Sequence, residues 1–459
     1  VTAAAPSTPG APTGRLRRAT GETFRSLHTR NFRLFFGGQL ISQVGNWLTM
    51  VAQTLLVLRL TGSGVALGLL AATQFAPLLV LGPWAGLVAD RSDKRKLLFI
   101  VQAIAMLQSF ALAVLAFMGN PPLIGIFAIS FVGGLTVAFD NPARRSFVVE
   151  MVPEQDMNNA VSLNSALMTS SRIIGPALAG LLVSTVGFGW AFLADGLSYL
   201  AVLAALAMMR SAELRPAPVT PKAKGQVRDG FRYVRSVPDL WVPLVMMAVI
   251  GVFAFNFAVV FPLFVTQDLG GTDTAFTILF SIVSIGSLVG ALATARRRSI
   301  DVRIVALTAL AFGVPMLVLA VVPNLVVACA IGMFIGFGSI AFLTSSTAIV
   351  QMRADPMMRG RVLALQGMVF LGSTPIGGPI LGWICQAYGA RWGIVVGGVA
   401  CLVAGTWGLM MVRRCEREQL RPEQADESVL DAIAELGGAG IGVGEPGTGL
   451  TDLDPSMPT

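Results

Sequence analysis

Twelve apolar runs set the architecture: roughly 34–58, 65–89, 97–118, 122–141, 159–185, 188–209, 241–266, 274–295, 304–322, 325–350, 362–388 and 391–412. Each is near or above the roughly 20 residues a helix needs to cross a hydrocarbon layer. Backbone placed in lipid has no water to bond, so each crossing must satisfy its own amides as a helix. The composition agrees. Of 459 residues, 54% are hydrophobic and 13% charged, with mean hydropathy +0.73, whereas soluble domains carry about 25% charge. An all-α membrane protein with twelve transmembrane helices is expected.

The net charge of +8 and isoelectric point near 9.9 would suit nucleic acid, but the placement of the charge excludes it. With the amino terminus in the cytoplasm and alternating spans, 30 of the 33 Lys and Arg fall on the cytoplasmic side. Arg59 and Arg391 fall outside, and Arg172 falls inside the fifth span. That asymmetry is the positive-inside rule. It predicts a multi-pass protein of the cytoplasmic (inner) membrane, in contact with its lipids, with both termini cytoplasmic. Residues 1–31 and 414–459 read as cytoplasmic tails, the first disordered and the second mostly so, with a short helix at Ser428–Leu436. The polar Ala/Pro/Thr-rich stretch before Phe32 is not expected to hold a cleavable signal peptide. Cys329, Cys385, Cys401 and Cys415 lack metal-type spacing and read as free thiols. With His28 the only histidine, metal and triad chemistry have no basis, and no cofactor is expected.

The chain divides into bundles at 32–209 and 241–413, joined by a cytoplasmic linker at 210–240. In the linker, Val227, Phe231 and Val234 alternate at helical spacing with Arg228, Arg232 and Arg235, an amphipathic helix lying on the inner leaflet. The halves repeat each other. GPALAG at Gly175–Gly180 answers GPILG at Gly378–Gly382, and 151–161 parallels 352–362. A parallel duplication of six helices implies two pseudo-symmetric bundles with a binding site between them.

Between the second and third runs stands Gly86-x-x-x-Asp90-Arg91-x-x-Lys94-Arg95-Lys96, with Asp93 at a position usually held by Gly. This resembles the loop signature of the major facilitator superfamily. The segments 32–47, 60–70, 139–153, 163–182 and 359–382 are similar to the enterobactin-exporter and macrolide-efflux branch. The resemblance implies the major facilitator fold and a gate made by Gly86, Asp90, Arg91, Lys94 and Arg95. By that pattern Asp90 would face the start of span 11 near Arg361, and Arg91, Lys94 or Arg95 would pair with Asp140. It also implies that Gly175, Pro176 and Gly180, with Gly378, Pro379 and Gly382, form an exporter-type helix motif.

Arg172 must be partnered or wetted at its depth, and Asp195 in span 6 is its expected partner. Together they are candidates for intramembrane coupling, in which protons are the coupling ion. Asn46 stands where many relatives carry an acid. Gln43, Asn46, Asn164, Asn256 and Gln366 are candidate cavity amides, with Phe253, Phe255, Phe257 and Phe261 as candidate stacking groups. There is no phosphate-loop ATPase motif and no nucleophile–base set, so an enzyme is not expected. The reading is a monomeric secondary active transporter that exports a drug, macrolide or siderophore-type amphipathic small molecule by proton antiport. A lysophospholipid or other metabolite carrier of the same fold, and a non-transporting scaffold or sensor, are the alternatives.

Overall fold

The computed structural model describes residues 24–215, 226–297 and 299–438. The tail before residue 24, most of the Arg215–Lys224 stretch, Arg298 and the residues after 438 lie outside them. Six helices come first: α1 (Arg30–Thr61), α2 (Gly64–Arg91), α3 (Lys94–Phe117), α4 (Leu123–Met151), α5 (Met157–Thr185) and α6 (Phe188–Met208). The linker contributes α7 (Gln226–Ser236). The second half comprises α8 (Pro238–Phe253), α9 (Phe257–Leu263), α10 (Asp273–Ala295), α11 (Val302–Ala320), α12 (Leu325–Arg353), α13 (Pro356–Tyr388) and α14 (Ala390–Gly438). Among the described residues, twelve helical segments are long and apolar enough to cross a membrane, α8 and α9 together forming the seventh. The protein is therefore a multi-pass membrane protein.

Local chemistry ends the helices where the apolar runs end. Gly62 closes α1 at φ +59°, a conformation open to glycine. Side chains of Ser63, Asp93, Thr272, Asp301, Asn324 and Asp355 each accept from a first-turn amide of the helix that follows. The Asp93 cap, on the amide of Lys96 at 3.1 Å, gives a physical reason for the acid at that signature position.

The helices sort into two bundles of six spans. In the first, α1 packs on α5 and α6, α2 on α4, and α3 on α4 and α6. In the second, α12 packs on α10 and α11, and α13 on α8. The bundles meet along two seams, α2 with α13 and α5 with α10. One face of the molecule carries the basic loops, including the turn between α2 and α3. It is called the basic face here, and the face with the α1–α2 turn is the opposite face. A core of Phe32, Phe35, Leu98, Phe147 and Leu206 fixes the basic end of the first bundle.

Three boundaries differ from the run lengths. Helix α4 continues to Met151 instead of stopping near 141, which carries Arg144 and Glu150 into the helix. The seventh span breaks at Asn256, outside helical geometry at φ −90° and ψ 46°, and ends in a π turn at Phe264–Asp268. Helix α14 runs to Gly438, so much of the expected disordered tail is helical. The compact body ends at Leu409, and Met410–Thr459 forms a second unit.

Candidate functional site

The two seams are built from small residues. A Cβ added to Gly64 would lie 2.4 Å from the carbonyl oxygen of Gly382, and one on Gly68 2.4 Å from that of Gly378. On the other seam a Cβ on Gly180 would lie 2.0 Å from the Thr277 hydroxyl. Glycine lets the helices approach to backbone contact. The repeated motifs of α5 and α13 thus each place glycine on a seam with the other bundle, Gly180 in α5 and Gly378 and Gly382 in α13. Gly175 faces its own bundle, against Val44 and Trp47 of α1, and Pro176 and Pro379 lie inside their helices.

Polar ties between the bundles gather near the opposite face. Arg59 of α1 pairs with Asp273 of α10 at 2.5 Å, its guanidinium 4.9 Å from the Phe188 ring. Gln386 of α13 accepts from the Ser63 hydroxyl at 2.6 Å and the Val65 amide at 3.1 Å. Gln267 donates to the Gly62 carbonyl at 3.3 Å. The other described hydrogen bond between the bundles is at mid-depth, where Ser281 donates to the Ile173 carbonyl. Arg59, one of two exceptions to the charge asymmetry, therefore has a use as a tie. The other, Arg391, works inside the second bundle, donating to Ala320 and Val322 carbonyls at 2.7 and 3.0 Å.

At the basic face the signature residues divide. Asp90 and Arg91 are exposed, and a Cβ on Gly86 would meet nothing within 4 Å. Lys94 and Arg95 are engaged inside the first bundle. Lys94 pairs with Glu150 at 2.6 Å, both side chains buried. Arg95 donates to the Leu206 and Ala207 carbonyls at the end of α6 and to the Ser211 hydroxyl, meeting that helix's negative end. Arg361 lies 3.8 Å from Asp229 of α7, not beside Asp90. None of the basic signature residues reaches Asp140. That carboxylate pairs with Arg144, one turn along α4, and accepts from Gln102 at 2.6 Å. Gln43 lies against the Arg144 guanidinium, which fixes its amide oxygen as acceptor. The sequence reading missed Arg144, although the Asp140–Arg144 spacing of four is the signal for such a pair.

The expected Arg172–Asp195 pair does not form. Asp195, 1% exposed, is wrapped by hydroxyls. Thr49 and Ser109 each donate to Oδ2 at 2.7 Å, and Ser198 lies 3.5 Å from Oδ1. Asp195 packs on Gly45 of α1, where an added Cβ would lie 2.3 Å from Oδ1. Gly45 and Thr49 share one face of α1. Trp47, two residues from each, lies about 200° around the helix. Arg172 stacks on that other face, its guanidinium 5.6 Å from the Trp47 ring centre. So α1 stands between the two charges. Arg172 sits at about the midpoint of α5, a depth at which a charge costs about 2.5–3.5 kcal/mol. Its Nε is buried with no hydrogen-bond partner.

Of the amides, Asn46 and Asn164 are half-buried, while Gln43, Asn256 and Gln366 are buried within the bundles. Asn256 donates to the Val252 carbonyl at 2.8 Å and so caps the break in the seventh span. The aromatic set is mostly packing: Phe257 and Phe261 are buried and stacked 4.9 Å apart. Phe255, half-buried, meets Phe312 and Phe370 at 5.3 and 5.0 Å. Among the described residues no group of His, Cys, Asp and Glu is arranged to hold a metal.

Comparison with known proteins places this geometry. Residues 21–436 match the family described as transmembrane secretion effector. Macrolide efflux protein A of Streptococcus pyogenes is 25% identical over 357 residues, 75% of this chain and 87% of that protein. The staphyloferrin A transporter of Staphylococcus aureus is 25% identical over 350 residues, 74% of this chain and 87% of that one. A bacterial homologue of the human lysosomal transporter Spinster, solved inward-facing and unoccupied, superposes with a TM-score of 0.68 at 16% identity. The match covers 83% of this chain and 96% of that one. Family and relatives are membrane transporters, not enzymes. The chain belongs to the transmembrane secretion effector family, within the efflux branch of the major facilitator superfamily.

Proposed function

We propose that the protein is a secondary active exporter of amphipathic small molecules, working by alternating access as a proton antiporter. The observation that carries this reading is the one-sided distribution of ties. Arg59–Asp273, Ser63–Gln386 and Gln267–Gly62 draw the bundles together at the opposite face, and the basic face is left without a described counterpart. A two-bundle carrier at one end of a rocking cycle has this form. The charge asymmetry supports a cytoplasmic basic face, and in that orientation the central site opens inward, ready to load cargo for export. The relatives named for macrolide efflux and for staphyloferrin A are transporters of different cargo, so membership alone leaves the cargo open. Proton coupling rests on Asp195, a buried carboxylate held by the hydroxyls of Thr49 and Ser109, groups that can donate or accept. The gate rests on Asp90 and Arg91, free in this state to engage the second bundle in the other.

Efflux of a fluorescent-compound panel from cells, with and without a proton uncoupler, tests the proposal. Accumulation should fall on expression and recover with the uncoupler. Asp90→Asn and Asp195→Asn should each slow efflux at normal surface expression. Export that ignores the uncoupler would end the antiport reading. Fluorescent lysophospholipid flipping in proteoliposomes, with no dye export, would favour a lipid carrier instead.

A further inference from the structure

We infer that Arg172 is the anion-recognising group of the central site, so the cargo carries a carboxylate or another acidic group. This rests on the transporter reading above and narrows it to a substrate class. The other charges deep in the bundles are spoken for, and the orphaned nitrogens of Arg30 and Arg359 lie in the first turns of α1 and α13, at the basic face. Asp140 is held by Arg144, Lys94 by Glu150, and Asp195 by hydroxyls on the far face of α1. Among the described residues, Arg172 has no carboxylate within ion-pair distance and no hydrogen-bond acceptor, and its Nε is buried without a partner.

Its position is that of a ligand group. The neighbouring Ile173 carbonyl accepts from Ser281 of α10 across the seam at 3.5 Å. Three residues on, Gly175 packs against Trp47. Arg172 therefore lies where α5 meets both its own bundle and the other, halfway through the span. A structural arginine at such depth is ordinarily anchored by a carboxylate or by carbonyl oxygens, as Arg144 and Arg391 are here. Arg172 is anchored only by the indole face of Trp47, 5.6 Å away. That contact holds the guanidinium plane and leaves its edge donors free, the geometry that grips a carboxylate through two parallel bonds. A cationic cargo entering the same low-dielectric site would be repelled.

The test is equilibrium binding to the purified full chain in detergent, using 5-carboxyfluorescein, Nile red and rhodamine 6G as anionic, neutral and cationic probes. Wild type should bind the anion more tightly than the cation by about tenfold or more, the scale of one charge-assisted pair. Arg172→Gln should erase that preference while shifting Nile red by less than about twofold, and Arg172→Lys should keep part of it. A wild type without anion preference, including one that binds no anion, overturns the inference. So does an Arg172→Gln protein, monodisperse on gel filtration, that keeps the preference or loses all three probes equally. Should that variant fail to fold, the wild-type ranking and Arg172→Lys decide the matter. Vesicle transport separates this inference from the export proposal. Anion bound but never moved defeats export alone, and exported cation with no anion preference defeats the charge assignment alone.

Discussion

Asp195 shows how a buried charge can be held without a counter-ion. Thr49 and Ser109 both aim hydroxyls at one of its oxygens, so two other helices are tied to α6 through it. Asp195→Leu strands those hydroxyls in a dry interior, and each buried group left unsatisfied costs about 1–3 kcal/mol. Asp195→Leu should therefore melt several degrees lower in detergent, whereas Asp195→Asn, able to accept the same bonds, should melt near wild type. Equal melting of both variants would show the cage to be unimportant. The depth of Asp195 and Arg172 was legible from position within apolar runs. Their separation was not, because neighbouring spans were known only as neighbours and the face each charge occupies depends on where α1 inserts. Arg144 was missed for a related reason. Counting apolar residues ends the fourth helix near 141, while the buried Asp140–Arg144 pair lets it continue to Met151.

Helices behave here as rigid rods whose contact surfaces were only partly visible in advance. The amphipathic linker helix was legible from its spacing, and its Val234 is buried while Phe231 packs edge-on to Trp241 at 5.8 Å. The duplicated Gly-Pro motifs were legible as a repeat, yet a repeat identifies which helices correspond and not which partners they meet. The partners turn out to be α2 and α10, through backbone contact at Gly64 and Gly68 and side-chain contact at Thr277. Gly64→Ala or Gly382→Ala puts a methyl against a carbonyl at 2.4 or 2.2 Å. Overpacking of this kind costs about 1–3 kcal/mol, here charged against the closed opposite face alone. Either variant should raise alkylation of a cysteine placed in the α2–α13 seam by about fivefold or more. Gly86→Ala, with open space around it, should leave that rate unchanged. A uniform response of all three would mean that the seam is not what holds this state.

In the proposed rocking of one bundle against the other, the ties that break and form decide the state. At the opposite face Arg59 and Asp273 lie 2.5 Å apart. In a background without native cysteines, an Arg59→Cys/Asp273→Cys pair bridged by a bis-methanethiosulfonate reagent, which spans the length of the lost side chains, should stop export and recover it with reductant. Cross-linked protein that still exports would refute rocking about these seams. The basic face poses a subtler question, because Arg361 is already occupied. It sits 3.8 Å from Asp229 of α7, and a Cβ on Gly230 would lie 3.3 Å from its own Cβ. The superfamily signature would bring Asp90 to the same arginine when this face closes. On the proposed gate, two acids would compete for one cation, Asp229 favouring the open basic face and Asp90 the closed one. Both Asp229 and Arg361 are partly exposed, at 47% and 31%, so the tie is worth at most about 1 kcal/mol. Asp229→Asn should accordingly shift the conformer ratio toward the closed basic face by about fivefold or less. Asp90→Asn should shift it the other way, and the double variant should fall between them. Spin labels on Arg145→Cys and Met357→Cys, exposed positions in the two bundles, would read the ratio as two distance populations. Shifts of the same sign in both single variants would show that the acids do not share Arg361.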